Sequence, residues 1–285
     1  MLCALGIVVT GYPTLVSGFA EVQGGLGDPL LVNFTLEHSY RWVAGMPLAE
    51  DLFSPPIFYP VRGVATYTDL LLGLAPLYWP WRFVGCEPHT AYQWWMLSCW
   101  TFNFLACYFL LKRGFRVSAF AAAMGAALFA FGSPRMANVM HQQLVAQFFL
   151  VASIWAAIEL GRLSDRPEVS VRNWVWAAVL CAGLLLQFIT AFYPLFFALF
   201  ASVAALSVAT LSASIRPDLT RVLRHNALPL AVCASLAAIA VAPGTAEVSP
   251  ISRDPRISRL LGSQIASTRL VVSHGKDKPH LRRTS

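Results

Sequence analysis

Long uncharged apolar runs set what this chain can fold into. They lie at approximately residues 1–20, 89–111, 117–133, 143–160, 174–191, 194–213 and 227–242. Runs of about 18 or more apolar residues cross a hydrocarbon core as helices. Charged residues make up 12% of the sequence, against about 25% in a typical soluble domain. Lipid is therefore the expected neighbour of this surface. The pattern predicts an all-α, polytopic transmembrane helix bundle of about seven spans. The first run lacks a basic leader and is interrupted by Tyr12-Pro13, which favours a retained span. Gly18 and Ala20 also suit a signal-peptide cleavage point, the alternative reading.

Three short basic clusters orient the bundle: Lys112, Arg113 and Arg116; Arg162, Arg166 and Arg172; Arg216, Arg221 and Arg224. The positive-inside rule places all three in the cytoplasm. They alternate correctly only if residues 65–84 do not cross. That segment holds Asp69, Pro76, Pro80 and Arg82 beside Tyr78, Trp79 and Trp81, the composition of an interfacial helix. Residues 21–88 then form one long extracytoplasmic loop with juxtamembrane helices. The expected organisation is a helical membrane domain over 1–242 and a polar, disordered tail over 243–285.

The net charge of +7 belongs mostly to that tail. Arg253 to Ser285 contain eight basic and two acidic residues, and the rest of the chain thirteen and twelve. It is no argument for nucleic acid. The six cysteines form no C-x-x-C pair and read as small core residues. No Walker loop, G-x-S-x-G, H-E-x-x-H or Rossmann fingerprint is present. That favours chemistry on a lipid-borne substrate, or no chemistry.

Asp28 is the first candidate for chemistry. In "GDPLLVNFTLEHSYRW" it reads as the N-cap of a helix with Pro29 at the first helical position. The same carboxylate, just outside the first span, suits a general base for an acceptor hydroxyl or a ligand for a divalent metal ion against a phosphate. Spacing puts Leu31, Phe34, His38 and Trp42 on one side of that helix. Asn33, Glu37 and Arg41 fall on another, with Glu37 and Arg41 spaced as an ion pair. Glu37 and His38 are candidate substrate contacts. Further along the outer loop, Arg62 suits a phosphate or an interfacial anchor, and Asp69 a helix cap or a polar ligand. The second outer loop, "SPRMANVMHQQLV", brings Arg135, Asn138, His141 and Gln142 to one face if it is helical. Arg135, His141 and Gln142 are then candidate substrate contacts, and His141 suits a metal ion, a diphosphate or a proton shuttle; a solvated interfacial loop is the alternative reading. Asn103 and Gln187, isolated in apolar runs, read as interhelical hydrogen-bonding amides.

Taken together, Gly27-Asp28-Pro29 after a first span, "LFSPPIFYP", "DLLLGLAPLYWP" and "ALFAFGSPRMANVMHQQL" resemble the N-terminal part of GT-C-type polytopic membrane glycosyltransferases, in particular poorly characterised bacterial members. The resemblance covers roughly residues 1–242. It implies sugar transfer from a polyprenyl-phosphate sugar donor on the outer side of a bacterial plasma membrane. It also implies that Asp28 is the essential acidic residue of the first outer loop, with Arg135 and His141 among the further substrate contacts. A second acidic residue is absent from the second outer loop, a departure that bears on metal dependence. Two other readings fit the same bundle. One is a transporter or flippase for a lipid-linked sugar. The other is an inactive portion of a longer membrane protein, which the short length and basic tail would suit.

Overall fold

The computed structural model describes residues 1–23, 27–58 and 61–251. It contains no strand among the described residues. The compact unit is Met1–Ala240, and a second unit begins at Val241. In chain order the helices are α1 (Leu2–Thr10), α2 (Tyr12–Val16), α3 (Asp28–Val43), α4 (Ala75–Phe83) and α5 (Pro88–Phe109), which Leu110–Gly114 extends as a π-turn. There follow α6 (Ala119–Phe131), α7 (Ser133–Ala137), α8 (Gln142–Val145), α9 (Phe148–Leu163), α10 (Val171–Phe188), α11 (Phe192–Leu211), α12 (Arg216–His225) and α13 (Ala227–Ile251).

Four helical stretches are long and apolar enough to cross a membrane: Pro88–Gly114, Gln142–Leu163, Val171–Phe188 and Phe192–Leu211. A fifth is added if α12 and the first part of α13, bent by 65°, count as one broken span. At 1.5 Å per residue the four are about 27–40 Å long, against a hydrocarbon core of about 30 Å. Seven spans were expected. The first run instead breaks at Gly11 into helices of 9 and 5 residues, and α6 has 13 residues, about 20 Å. Exposure on α11 argues for lipid. Phe197, Leu199, Phe200, Val203, Leu206 and Val208 are all exposed along it. In water such a face would be an aggregation surface.

Tertiary contacts sort the loops into two ends. At one end all three basic clusters meet. Arg162 donates to the carbonyls of Arg113 (3.2 Å) and Gly114. Arg221 pairs with Asp165 at 3.0 Å, and Asn226 links Asn173 (2.9 Å) to the Leu160 carbonyl (3.3 Å). This is the grouping the positive-inside rule requires.

The opposite end carries the juxtamembrane layer and the best-buried core. Leu36, Leu71, Leu74, Tyr78, Tyr92, Trp95 and Trp100 form one cluster where α3 and α4 pack on α5. Each large apolar side chain buried there contributes about 1.5–3 kcal/mol relative to exposure in water. Residues 65–84 do not form a span: α4 has 9 residues, and its Trp79 and Trp81 dock on Ser39 and Trp94. Burial on α3 follows neither of the two sides that spacing gives, and His38 and Glu37, one from each, are both buried. Val32, Leu36, Ser39 and Tyr40 face the core, while Leu31, Phe34 and Trp42 are exposed. A single apolar stripe misleads here because α3 lies under a polar network as well as against a core.

The first residues of the expected tail, from 243, fall within α13, which runs to Ile251. The remainder, 252–285, lies outside the described residues, as do Tyr59 and Pro60 of the "LFSPPIFYP" motif.

The segment joining the juxtamembrane layer to α10 leaves no space for a side chain at Gly73. Leu71 and Leu72 donate to the carbonyls of Thr190 (3.1 Å) and Ile189 (2.9 Å). A methyl group on Gly73 would overlap the Leu186 carbonyl and the Thr190 hydroxyl. Gly73→Ala should therefore lower stability in detergent by about 1–3 kcal/mol. Gly161→Ala, in open space within α9, should leave it unchanged or slightly raised. Thermal unfolding of the two variants followed in parallel checks this.

Candidate functional site

The second loop of the non-basic end is an interrupted helix. α7 starts at Ser133-Pro134, a favourable pair for a helix start, and lasts 5 residues. The chain turns at Asn138–Met140, and His141 then precedes α8. A second break follows at Ala146-Gln147, before α9. Arg135, Asn138, His141 and Gln142 were expected on one helical face. The turn separates them: Arg135 and Gln142 point into the bundle and are buried, while His141 is exposed.

Arg135 and Asn103 satisfy the backbone of the second break. Arg135 donates from Nη1 to the carbonyls of Leu144 (3.1 Å) and Val145 (2.7 Å). It also donates from Nη2 to Gln147 Oε1 (2.8 Å) and from Nε to the Phe129 carbonyl (3.2 Å). Its guanidinium lies over the Phe129 ring at 4.5 Å. Asn103 on α5 donates to Val145 O (2.8 Å) and accepts from Gln147 N–H (3.0 Å). Burial brings the Arg135 pKa down to about 10, which still leaves a cation at neutral pH. Four of its five N–H donors are committed to protein acceptors.

Held this way, the loop presents His141 to α3. Gly27 precedes that helix at φ 123°, a backbone conformation that suits glycine. Asp28 is the first residue of α3, and Gly27 rather than Asp28 stands at the N-cap, contrary to the N-cap expectation. Its Oδ2 lies 2.6 Å from His141 Nδ1, across 113 residues of chain. The two side chains are 46% and 53% exposed, so solvent and a substrate can reach both.

Beside this pair is a recess of about 90 Å³, lined by Asp28, Thr35, Thr68, Asp69, Leu71 and Gln143 among others. Asp69 accepts from the Phe192 N–H at 3.1 Å and so tethers the start of α11. Burial raises its pKa, and that hydrogen bond offsets part of the rise. The Gln143 Oε1 atom is buried with no partner among the described residues. Sequence reasoning missed Thr35, Thr68 and Gln143. The signal available was the "HQQLVAQ" stretch, whose three glutamines interrupt an apolar run.

Other expected contacts are used structurally. Glu37 accepts from Arg41 (3.1 Å), from Arg82 (2.7 and 3.1 Å) and from Tyr78 (2.9 Å). Burial alone would raise its pKa, but these donors win and hold it below the usual carboxylate value. Tyr78 is pushed the other way, by burial first and then by the Glu37 carboxylate. His38 is buried, with Nε2 at 3.0 Å from the Asp51 carbonyl. Gln142 is fully buried and donates to Val139 O at 2.6 Å. Arg62 is exposed and does not line the recess.

On the far side of the same loop lies a cavity of about 580 Å³. Leu128, Phe129, Tyr193, Pro194 and Phe197 form its apolar wall, and Arg135, Asn138 and Gln147 give it polar groups. Its size and lining are those of a site for a small amphiphile. Among the described residues no group of three or more His, Cys, Asp or Glu is placed to hold a metal ion. Asp28 and Asp69 are each already hydrogen-bonded to protein. The described residues therefore do not build a cage for the divalent metal considered from the sequence.

Replacing Arg135 by Met should leave the Leu144 and Val145 carbonyls without their guanidinium donor. Val145 O keeps its bond from Asn103 (2.8 Å) and Leu144 O its bond from Gln147 Nε2 (3.2 Å), so the expected loss is held to roughly 1–3 kcal/mol. Arg135→Lys, with a single ammonium to share, should fall between. Melting temperature and membrane yield of the two variants are the readout.

Comparison with known proteins bears on the larger part of the chain. No curated protein and no solved structure shows significant similarity to it. Residues 45–254 match a domain of unknown function, DUF6311. The matched region contains Asp69, Arg135 and His141 and begins after Asp28. By the extent of this match, the chain belongs to the DUF6311 family.

Proposed function

We propose that this protein is a GT-C-type membrane glycosyltransferase, or the N-terminal portion of one, acting at the outer face of a bacterial plasma membrane. The Asp28–His141 pair carries the reading. It joins the acidic residue of the first outer loop to a histidine of the second at 2.6 Å, beside a polar recess. The apolar cavity behind the loop supports a lipid-borne donor, a polyprenyl-phosphate sugar. In this reading the first run, α6 and the first part of α13 also cross, as short or broken spans, giving seven crossings. α1 packs against α6 through Gly6 and Phe131.

The chemistry is displacement at the anomeric carbon. Nδ1–H of His141 donates to Asp28, which leaves the Nε2 lone pair to accept a proton. The acceptor hydroxyl attacks, the bond from the anomeric carbon to the acceptor oxygen forms, and the bond to the phosphate oxygen breaks. The hydroxyl proton goes to His141, and polyprenyl phosphate leaves as the anion. Asp28 acts by holding the imidazole in tautomer and orientation and by stabilising the imidazolium. Arg135 acts indirectly, by fixing the loop.

One observation favours a second reading. The break at Ala146-Gln147 interrupts a candidate span, and discontinuous helices are a feature of transporter sites. Under that reading the protein moves a lipid-linked sugar across the bilayer and leaves its glycosidic bond intact.

Purified full-length protein in proteoliposomes, supplied with labelled polyprenyl-phosphate sugars and lysate-derived acceptors, separates the two. The glycosyltransferase reading expects label in a new glycoside. His141→Ala and Asp28→Asn should each reduce transfer by about 10²–10⁴-fold with membrane yield unchanged. Near-normal turnover in both variants would remove the dyad from the mechanism. Transbilayer movement of the label without transfer would replace the enzyme by the transporter.

A further inference from the structure

The basic end carries a feature that sugar transfer at the other end does not use. Helix α12 has no buried residue. Its two halves differ sharply. Arg216, Thr220, Arg221, Arg224 and His225 follow one face and line a shallow recess of about 660 Å³. Ile215, Leu219, Val222 and Leu223 follow the other, with Ile215 and Leu223 about half exposed. Arg221 is tied to Asp165 and Asp218, both at 3.0 Å. Arg216 and Arg224 have no acidic partner among the described residues. The His225 Nε2 atom, at the same recess, is buried and without a partner among them.

Position supplies the rest. α12 follows a candidate span, α11, after four residues, and the chain bends by 65° into the next helix. Asn226, fully buried at that bend, is bonded to Asn173 and to the Leu160 carbonyl. The helix is thus anchored at the end of the bundle where the other basic loops gather. An amphipathic helix with arginines on its polar face and aliphatic side chains on the other lies in a membrane interface.

We propose that α12 is an in-plane helix that binds the headgroups of anionic phospholipids in the leaflet at the basic end, with Arg216 and Arg224 as the phosphate contacts. The apolar face sits among acyl chains, and the unpaired guanidinium groups meet lipid phosphates. Each arginine near an anionic surface strengthens binding by roughly fivefold. This assignment depends on the protein being membrane-embedded and is independent of what it catalyses.

The test is hydrogen exchange of the full chain in nanodiscs of phosphatidylcholine alone and of phosphatidylcholine with phosphatidylglycerol. The proposal expects amides of 213–226 to exchange at least about fivefold more slowly with the anionic lipid. Arg216→Gln combined with Arg224→Gln should abolish that difference, and the corresponding double Lys variant should keep most of it. Exchange in α10 serves as the check that the variants are folded. Equal exchange in the two nanodiscs, or a difference that survives the Gln variant, overturns the proposal. So does equal slowing by inorganic phosphate in phosphatidylcholine alone, which would make the ligand a soluble anion.

Discussion

Arg135 and Asn103 satisfy the backbone groups of an interrupted helix, and the other features of the non-basic end depend on their doing so. A helix that breaks inside a membrane protein frees carbonyls and amides that lipid cannot satisfy. Here the freed groups at Leu144, Val145 and Gln147 all find partners, four bonds of 2.7–3.1 Å from Arg135 and Asn103. A fifth, from Arg135 to the Gln147 side chain, locks the turn. With the break secured, α8 leaves the axis of α9 and His141 stands at the surface. A continuous helix over 133–163 would carry that side chain elsewhere.

The partner surface has a different foundation. Glu37, at the centre of α3, receives hydrogen bonds from Arg41, Arg82 and Tyr78 and so fastens α3 to α4. Removing one partner of such a buried network costs more than the network's net worth, because the remaining charge is stranded. Asp28 therefore projects from a helix that is fixed along its length. The recess between Asp28 and Asp69 is closed on its other side by the tether from Asp69 to the start of α11. Three separately stabilised segments converge there, which is the arrangement expected of a site that must hold its geometry.

Much of this was legible in the sequence, for identifiable reasons. Apolar run length and charge placement gave the helical class, the grouping of the basic loops and the non-spanning 65–84 segment, because these follow from hydration of charge. The Glu37–Arg41 pair follows from helical spacing, and Asn103 as an interhelical amide from its isolation. What escaped depends on tertiary detail. The pairing of Arg82 with Glu37 spans 45 residues, and that of Asp28 with His141 spans 113. No local period encodes either. Arg135 reads as a substrate contact from its place in the second outer loop and from the family resemblance, yet its five donors also suit a row of orphaned carbonyls. The expected one-face cluster failed for the same reason: the sequence 133–147 has helical composition, and only the bundle shows that it turns.

The claim that most needs direct measurement is that the interrupted helix brings residues 28 and 141 together on the outer side of the membrane. In cells expressing the full chain with Asp28→Cys and His141→Cys, a short, membrane-impermeant bifunctional thiol reagent should join the two positions without permeabilisation. With the six native cysteines replaced by Ser or Ala in every chain, those carrying only one of the two introduced cysteines should acquire no such link. Failure to cross-link in intact and permeabilised cells alike would contradict the pairing itself. A link that forms only after permeabilisation would place the pair on the opposite face and contradict the outer-face site.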